Sequence, residues 1–247
     1  MASTSETGHR INVANFEYIL SDIASHGSVY NPSRPALKID ALNTLLTASK
    51  NAVEAVNAAE PPYKLAKNAR DYAFKSLNIL STKVINSLKS TTTTAQVDGT
   101  ATTLIRKLQG RRASPKKTDE QKKTATDAGK DLVEISSSQM SFDSRIENLD
   151  KLIKLLSTIP QYTPNEEELK LASLEALRLD LKLKNTAVLS ASVALSNMRI
   201  NRNKVLYLPD DGMVDVAYSI KSYVKSLYGS RSPEYLRISK IKFTKPR

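Results

Sequence analysis

Lysine and arginine are the residues of this chain best placed to do chemistry, because they outnumber the acids and cluster. The 247 residues hold 37 Lys and Arg against 25 Asp and Glu, a formal charge of +12. Residues 106–130 carry +6 and residues 199–247 carry +7, while the stretch between them is slightly acidic. A local cationic excess attracts a polyanion or an acidic protein face. In the first region Ser114-Pro115-Lys116-Lys117 sets two cations on a proline turn, with Arg111, Arg112, Lys122 and Lys123 nearby. In the second, Lys221, Lys225, Arg231, Arg237, Lys240, Lys242, Lys245 and Arg247 interleave with Tyr218, Tyr223, Tyr228, Tyr235 and Phe243, and Arg231, Lys240 and Lys242 are taken as the candidate ligands. Cations that alternate with rings bind single strands by charge and stacking. Those basic residues form the candidate polyanion site, set against the plainer reading of a solvated surface. Tyr223 shares a helix face with Val216, Ile220 and Leu227 and reads as core.

Other chemistries lack their residues. Cysteine is absent, which excludes disulfides, thiolate nucleophiles and Cys-ligated metals. Only His9 and His26 supply imidazole, and His26 precedes Gly27 as a turn residue would. There is no glycine-rich phosphate loop and no Ser/His/Asp arrangement. Glu166, Glu167 and Glu168 suit a helix first turn, where the dipole favours negative charge, and Asp210-Asp211 suits an exposed turn. The expectation is a protein with no catalytic set, no cofactor and no metal. Residues 1–10 are polar and lack the apolar stretch of a secretory signal. The most apolar window, 186–195, is half the length a membrane span needs. A cytoplasmic location without a membrane span is expected.

The elements that would carry these residues are helical. Hydrophobic residues make up 40% of the chain, and only 7 are glycine. In 165–206, Leu174, Leu177, Leu181, Val188, Ala191, Leu195, Met198 and Val205 recur at 3–4 spacing, which predicts one long helix with Asn165 as its N-cap. A second stripe of Leu169, Ala172, Ala176, Leu179, Leu183, Ala187 and Ala194 predicts a second neighbour. In 36–90 the stripe of Leu42, Leu45, Ala52, Val56, Ala59, Tyr63, Ala66, Ala73, Leu77, Leu80 and Val84 keeps phase through Pro61-Pro62. That predicts one long kinked helix rather than a hairpin. Medium helices are expected at 100–109 and 213–228, with Gly110 and Gly229 ending them. Segments 135–142 and 237–243 read as short strands, one per half.

The halves echo each other. Asn15-Phe16-Glu17 with Ile19, Leu20 and Ile23 matches Asn148-Leu149-Asp150 with Leu152, Ile153 and Leu156. Tyr30-Asn31-Pro32 matches Tyr162-Thr163-Pro164, and Leu37, Leu42 and Leu45 match Leu169, Leu174 and Leu177. Further on, Asn68 and Arg70 pair with Asn197 and Arg199, and Gly110 with Gly229. The separation falls from 133 to 103 along the chain, as deletions in a second copy would produce.

The run Arg111-Arg112-Ala113-Ser114-Pro115-Lys116-Lys117 resembles a pattern in an uncharacterised all-helical bacterial protein family. So does 135–143, and Ser232-Pro233 with Ile238-Ser239 and Phe243-Thr244 resembles the end of that family. The resemblance implies a bacterial source and no assigned activity. Ser114-Pro115-Lys116-Lys117 is also similar to the minor-groove turn of basic chromatin tails, which implies DNA contact.

The expected fold is all-α: an elongated helical bundle, coiled-coil-like, of two tandem pseudo-symmetric copies with long helices. Residues 1–12 form a polar tail, 13–142 copy 1 with a basic loop at 111–130, and 143–247 copy 2 with a basic tail, the copies sharing one core. The expected function is a non-catalytic structural or protein-interaction protein that binds a protein partner or itself. The alternative is nucleic-acid binding through 106–130 and 199–247.

Overall fold

The computed structural model describes residues 7–111, 118 and 140–245. Helix α1 (Thr7–Ala24) forms where Val13, Phe16, Ile19, Leu20 and Ile23 recur on one face, and that face is buried. Two 3₁₀ turns, Gly27–Val29 and Pro35–Leu37, lead into α2 (Ile39–Lys75). Helices α3 (Leu77–Lys89) and α4 (Ala95–Gln109) follow. Then come α5 (Phe142–Ser157), a 3₁₀ turn at Glu167–Leu169, and α6 (Leu171–Tyr207). The chain ends with α7 (Met213–Tyr228) and α8 (Pro233–Ser239). The protein is all-α, and no strand occurs among the described residues.

The caps follow local chemistry. Thr94, Ser141 and Ser232 each accept a hydrogen bond on the side chain from a backbone N–H three residues on, at α4, α5 and α8. Pro233 sits in the first turn of α8, where its missing N–H costs nothing. Gly110 ends α4 at φ 69°, a left-handed conformation that glycine adopts without strain.

The chain divides into two compact units, and neither is a half of the sequence. Unit 1 comprises Met1–Lys64 and Ala191–Arg247; unit 2 is Leu65–Ser190. The division falls inside α2 and inside α6, so each long helix serves both units. Unit 1 buries Phe16, Ile19 and Ile23 of α1 with Leu42, Met213, Ile220, Val224 and Ile238. Unit 2 buries Phe74, Leu77, Leu88, Leu108, Leu149, Leu152, Leu156 and Leu181. Each fully buried Leu, Ile or Phe contributes about 1.5–3 kcal/mol relative to exposure.

Several expectations are corrected. There are two buried clusters, one in each unit, in place of one shared core. The stretch 36–90 is two helices, broken at Ser76. The helix expected from Asn165 begins at Leu171, because a 3₁₀ turn holds Glu167 and Glu168. The medium helix expected at 100–109 starts earlier, at Ala95 behind its Thr94 cap. Half of the polar tail, from Thr7, is helix, since α1 needs its first turns to bury Asn12 and Val13. The second expected strand falls on α8 and an irregular segment; Pro233 behind the Ser232 cap is a helix start. Of the first, 135–139 lies outside the described residues and Phe142 opens α5. Through Pro61 and Pro62, α2 is continuous.

Candidate functional site

Many of the cations that looked available from sequence have structural partners. In unit 1, Lys221 is buried on α7 and donates to the carbonyls of Ser239 and Ile241 at the end of α8. Its ammonium also lies 5.5 Å from the Tyr218 and Phe243 rings. Burial lowers its pKa. Lys245 pairs with Asp215, and the Arg237 Nε lies 3.2 Å from the Asp22 carboxylate. That same carboxylate lies 3.6 Å from His26 Nε2, and the His26 ring meets Tyr228 edge-on at 5.2 Å. His26 is the turn residue expected before Gly27, and its side chain is packed as well, held where α1 meets α7. An i,i+4 Asp–His spacing was the sequence signal for this contact, and it was missed.

The rings of this region pack inward too. Tyr223 sits edge-on to Tyr30, and Phe243 is buried against Tyr218. Stacking on single-stranded bases needs open rings, and of these residues Tyr218 is exposed. Arg231, Lys240 and Lys242 are exposed in unit 1 and make no ion pair among the described residues. Arg111 is exposed in unit 2, just after α4. Arg112, Lys116, Lys117, Lys122 and Lys123 lie outside the described residues. The candidate polyanion residues are therefore not brought together into one described site.

Unit 2 holds a different feature. Of the second stripe, Leu169 is buried in the 3₁₀ turn before α6, while Ala172, Ala176, Leu179, Leu183 and Ala187 on α6 are exposed. Leu183 keeps 69% of its surface. Among the described residues no second neighbour covers Ala172, Ala176, Leu179, Leu183 or Ala187. On the other long helix and α3, Leu65 (68%), Ala69, Tyr72 (80%) and Ile79 (66%) form a second exposed apolar row at 3–4 spacing, interrupted by Ser76. Single exposed apolar residues need no explanation, but rows along one face do. Each leucine left out forgoes about 2 kcal/mol of burial.

Beside the α6 row runs a groove of about 400 Å³ lined by Ser76, Ile79, Leu80, Lys83, Glu168, Ser173 and Leu177. Ser173 and Leu177 sit next to Ala172 and Ala176 on α6, so groove and row adjoin. An ion pair of 2.6 Å joins two of its lining residues, Lys83 and Glu168. Behind the groove the walls are anchored. Arg145, buried on α5, donates to the Leu108 carbonyl at 3.2 Å and the Asn78 side chain at 2.9 Å, and desolvation lowers its pKa. The Arg70 guanidinium stacks on Phe142 at 3.7 Å and reaches Asn185 of α6. Among the described residues no three His, Asp or Glu side chains are grouped as metal ligands would be.

No family model matches this chain, and no curated protein or solved structure is similar to it. No helix among the described residues is long and apolar enough to cross a membrane.

Proposed function

We propose that this chain is a non-catalytic interaction protein, built by duplication, whose unit 2 carries the docking face. The duplication reading rests on repeated local geometry. The Tyr30 hydroxyl donates to the Leu37 carbonyl at 3.0 Å, and the Tyr162 hydroxyl to the Leu169 carbonyl at 2.8 Å. Helices α2 and α6 are both 37 residues long, and their first residues are Ile39 and Leu171. Arg70 bonds the side chain of Asp71, and Arg202 bonds that of Asn203. These pairs share the spacing of the tyrosines, so Arg70 is matched by Arg202 rather than by Arg199.

Beyond the long helices, α3 corresponds to α7. Buried Leu77, Ser81, Val84, Ile85 and Leu88 match buried Met213, Ala217, Ile220, Lys221 and Val224 position by position. The separation thus widens after the long helix, because the turn 208–212 stands where the first copy has Ser76 alone, whereas the sequence matches suggested shrinkage. The alignment of Gly110 with Gly229 gives way, because Gly229 ends α7 and Gly110 ends α4.

The observation that carries the functional reading is a comparison the molecule supplies itself. Under this register Ala172, Ala176, Leu179 and Leu183 stand where unit 1 has Asp40, Thr44, Thr47 and Asn51, all exposed. Leu65, Tyr72 and Ile79 stand where it has Asn197, Lys204 and Asp215. The same fold position accepts polar side chains in one unit and shows bare apolar ones in the other. Folding therefore does not require the apolar choice; covering by another molecule would use it. Unit 1 also exposes Ile11 and Tyr18 on α1, Tyr218 and Leu227 on α7, and Val193 and Ile200 on α6, where they continue from Leu189 at helical spacing.

A photo-crosslinking residue placed at Leu183, and in a separate chain at Asn51, tests this in the cell of origin. Capture at 183 with silence at 51 supports the docking face; equal capture at both, or none at 183, rejects it. The nucleic-acid alternative draws on Arg111, Arg231, Lys240 and Lys242, and predicts binding that weakens steeply with salt. A gel shift at low salt that disappears in the Arg231→Ala/Lys240→Ala/Lys242→Ala chain would favour it.

A further inference from the structure

We infer that the groove between α3 and α6 of unit 2, with the α6 row beside it, receives an acidic amphipathic helix from another protein. This rests on the interaction reading above and names the partner's chemistry. The walls offer what a helix face requires: Ile79, Leu80 and Leu177 to accept apolar anchors, and Ser76 and Ser173, with Ala172 and Ala176 of the adjoining row, small enough for a backbone to approach. Leu179 and Leu183 extend the apolar strip one and two turns further along α6.

The rim decides the sign of the partner. Most acids of these elements are already paired, Glu168 with Lys83, Glu175 with Arg178, Asp180 with Lys184 and Asp71 with Arg70, while exposed Glu166 makes no ion pair among the described residues. Lys75, next to Ser76 of the groove, and Lys182, next to Leu183 of the row, are exposed and make no ion pair among the described residues, so they outnumber Glu166. The residual charge around the apolar strip is positive, so an acidic helix gains attraction and a basic one is repelled. A second copy of this chain would bring lysine against lysine. A lipid surface is flat and would leave the concave groove unfilled.

The test uses the full chain and labelled peptides of about 18 residues, long enough for a helix-in-groove contact. One peptide carries Leu at helical 3–4 spacing and Glu elsewhere. A twin replaces Glu by Lys, and a third scrambles the acidic sequence. Fluorescence anisotropy should show the acidic amphipathic peptide binding at least tenfold more tightly than either control. Ile79→Glu, at an exposed position where the circular dichroism should stay unaltered, should weaken it at least tenfold. Lys75→Glu/Lys182→Glu should reverse the preference between the two amphipathic peptides. Equal binding of the Lys twin or the scrambled peptide overturns the inference, as does full binding to the Ile79→Glu chain. So does a dimer by light scattering that Ile79→Glu dissolves, or flotation with anionic phosphatidylserine vesicles that the same change abolishes. If no peptide binds while crosslinking at 183 still captures a protein and 51 stays silent, the docking face stands and the acidic helix falls. If both fail, both fall.

Discussion

Tyr30 and Tyr162 each close a turn with one hydroxyl, donated to a carbonyl seven residues on. Both side chains are buried, and a net hydrogen bond of this kind stabilises by about 1 kcal/mol. Tyr30→Phe and Tyr162→Phe should each lower stability by about that amount, read from urea melts at pH 7. Burial pushes the Tyr162 hydroxyl up to about 12, and raises that of Tyr30 as well. A tyrosine whose pKa is raised on folding keeps the chain stable below the unfolded value near 10. That stability is lost as pH climbs through the folded value. The native chain should therefore lose stability between about pH 10 and 12, and the double Phe variant should lose less over the same range. An identical alkaline loss in both would refute the role. The tyrosines were readable because Tyr30 and Tyr162 share their following proline-leucine pattern. The Asp22–His26–Arg237 contact was not, because Arg237 comes from a distant part of the chain. A third residue test is Gly110→Ala. It adds a Cβ at positive φ that would overlap the Met140 side chain. The cost should be at least the 1 kcal/mol typical of such a conformation, and a neutral outcome in the same melts would contradict the close approach.

At the level of elements, apolar periodicity sufficed to find the long helices, because a buried face leaves its spacing in the sequence whatever covers it. Phase carried the reading through Pro61 and Pro62, and α2 is continuous there. It could not reveal the break at Ser76, where the buried face resumes in α3 with Leu77 and Leu80 close to the earlier phase. Nor could it separate a covered stripe from a bare one. Leu174, Leu181 and Val188 are buried and Leu179 and Leu183 are not, yet both sets show the same spacing. Prolines inside a helix remove backbone donors and crowd the preceding turn, at up to about 3 kcal/mol each. Both are exposed, so Pro61→Ala and Pro62→Ala remove that penalty without opening the core. Each should raise the melting temperature, and a fall would mean that the prolines serve the helix rather than burden it.

For the whole molecule, what the sequence hid was which segments share a unit. Matching the halves suggests two copies in one shared core, but unit 1 takes its first helix from the start of the chain and its last from the end. Contacts at that sequence separation leave no local trace: Asn12 of α1 bonds both the N–H and the carbonyl of Thr244, and neither residue type announces the other. The basic regions illustrate the reverse error. They looked alike as charge, yet Lys221, Arg237 and Lys245 are committed to structural contacts. The claim that matters most is that the bare apolar row of α6 is there for a partner and not for folding. It is tested by comparing Leu179→Glu/Leu183→Glu with the counterpart Thr47→Glu/Asn51→Glu, measuring melting temperature and partner capture from the cell of origin side by side. The row variant should melt with the native chain and lose the captured protein, while the counterpart keeps both. A row variant that melts several degrees lower, or that still captures the same partner, would contradict the account.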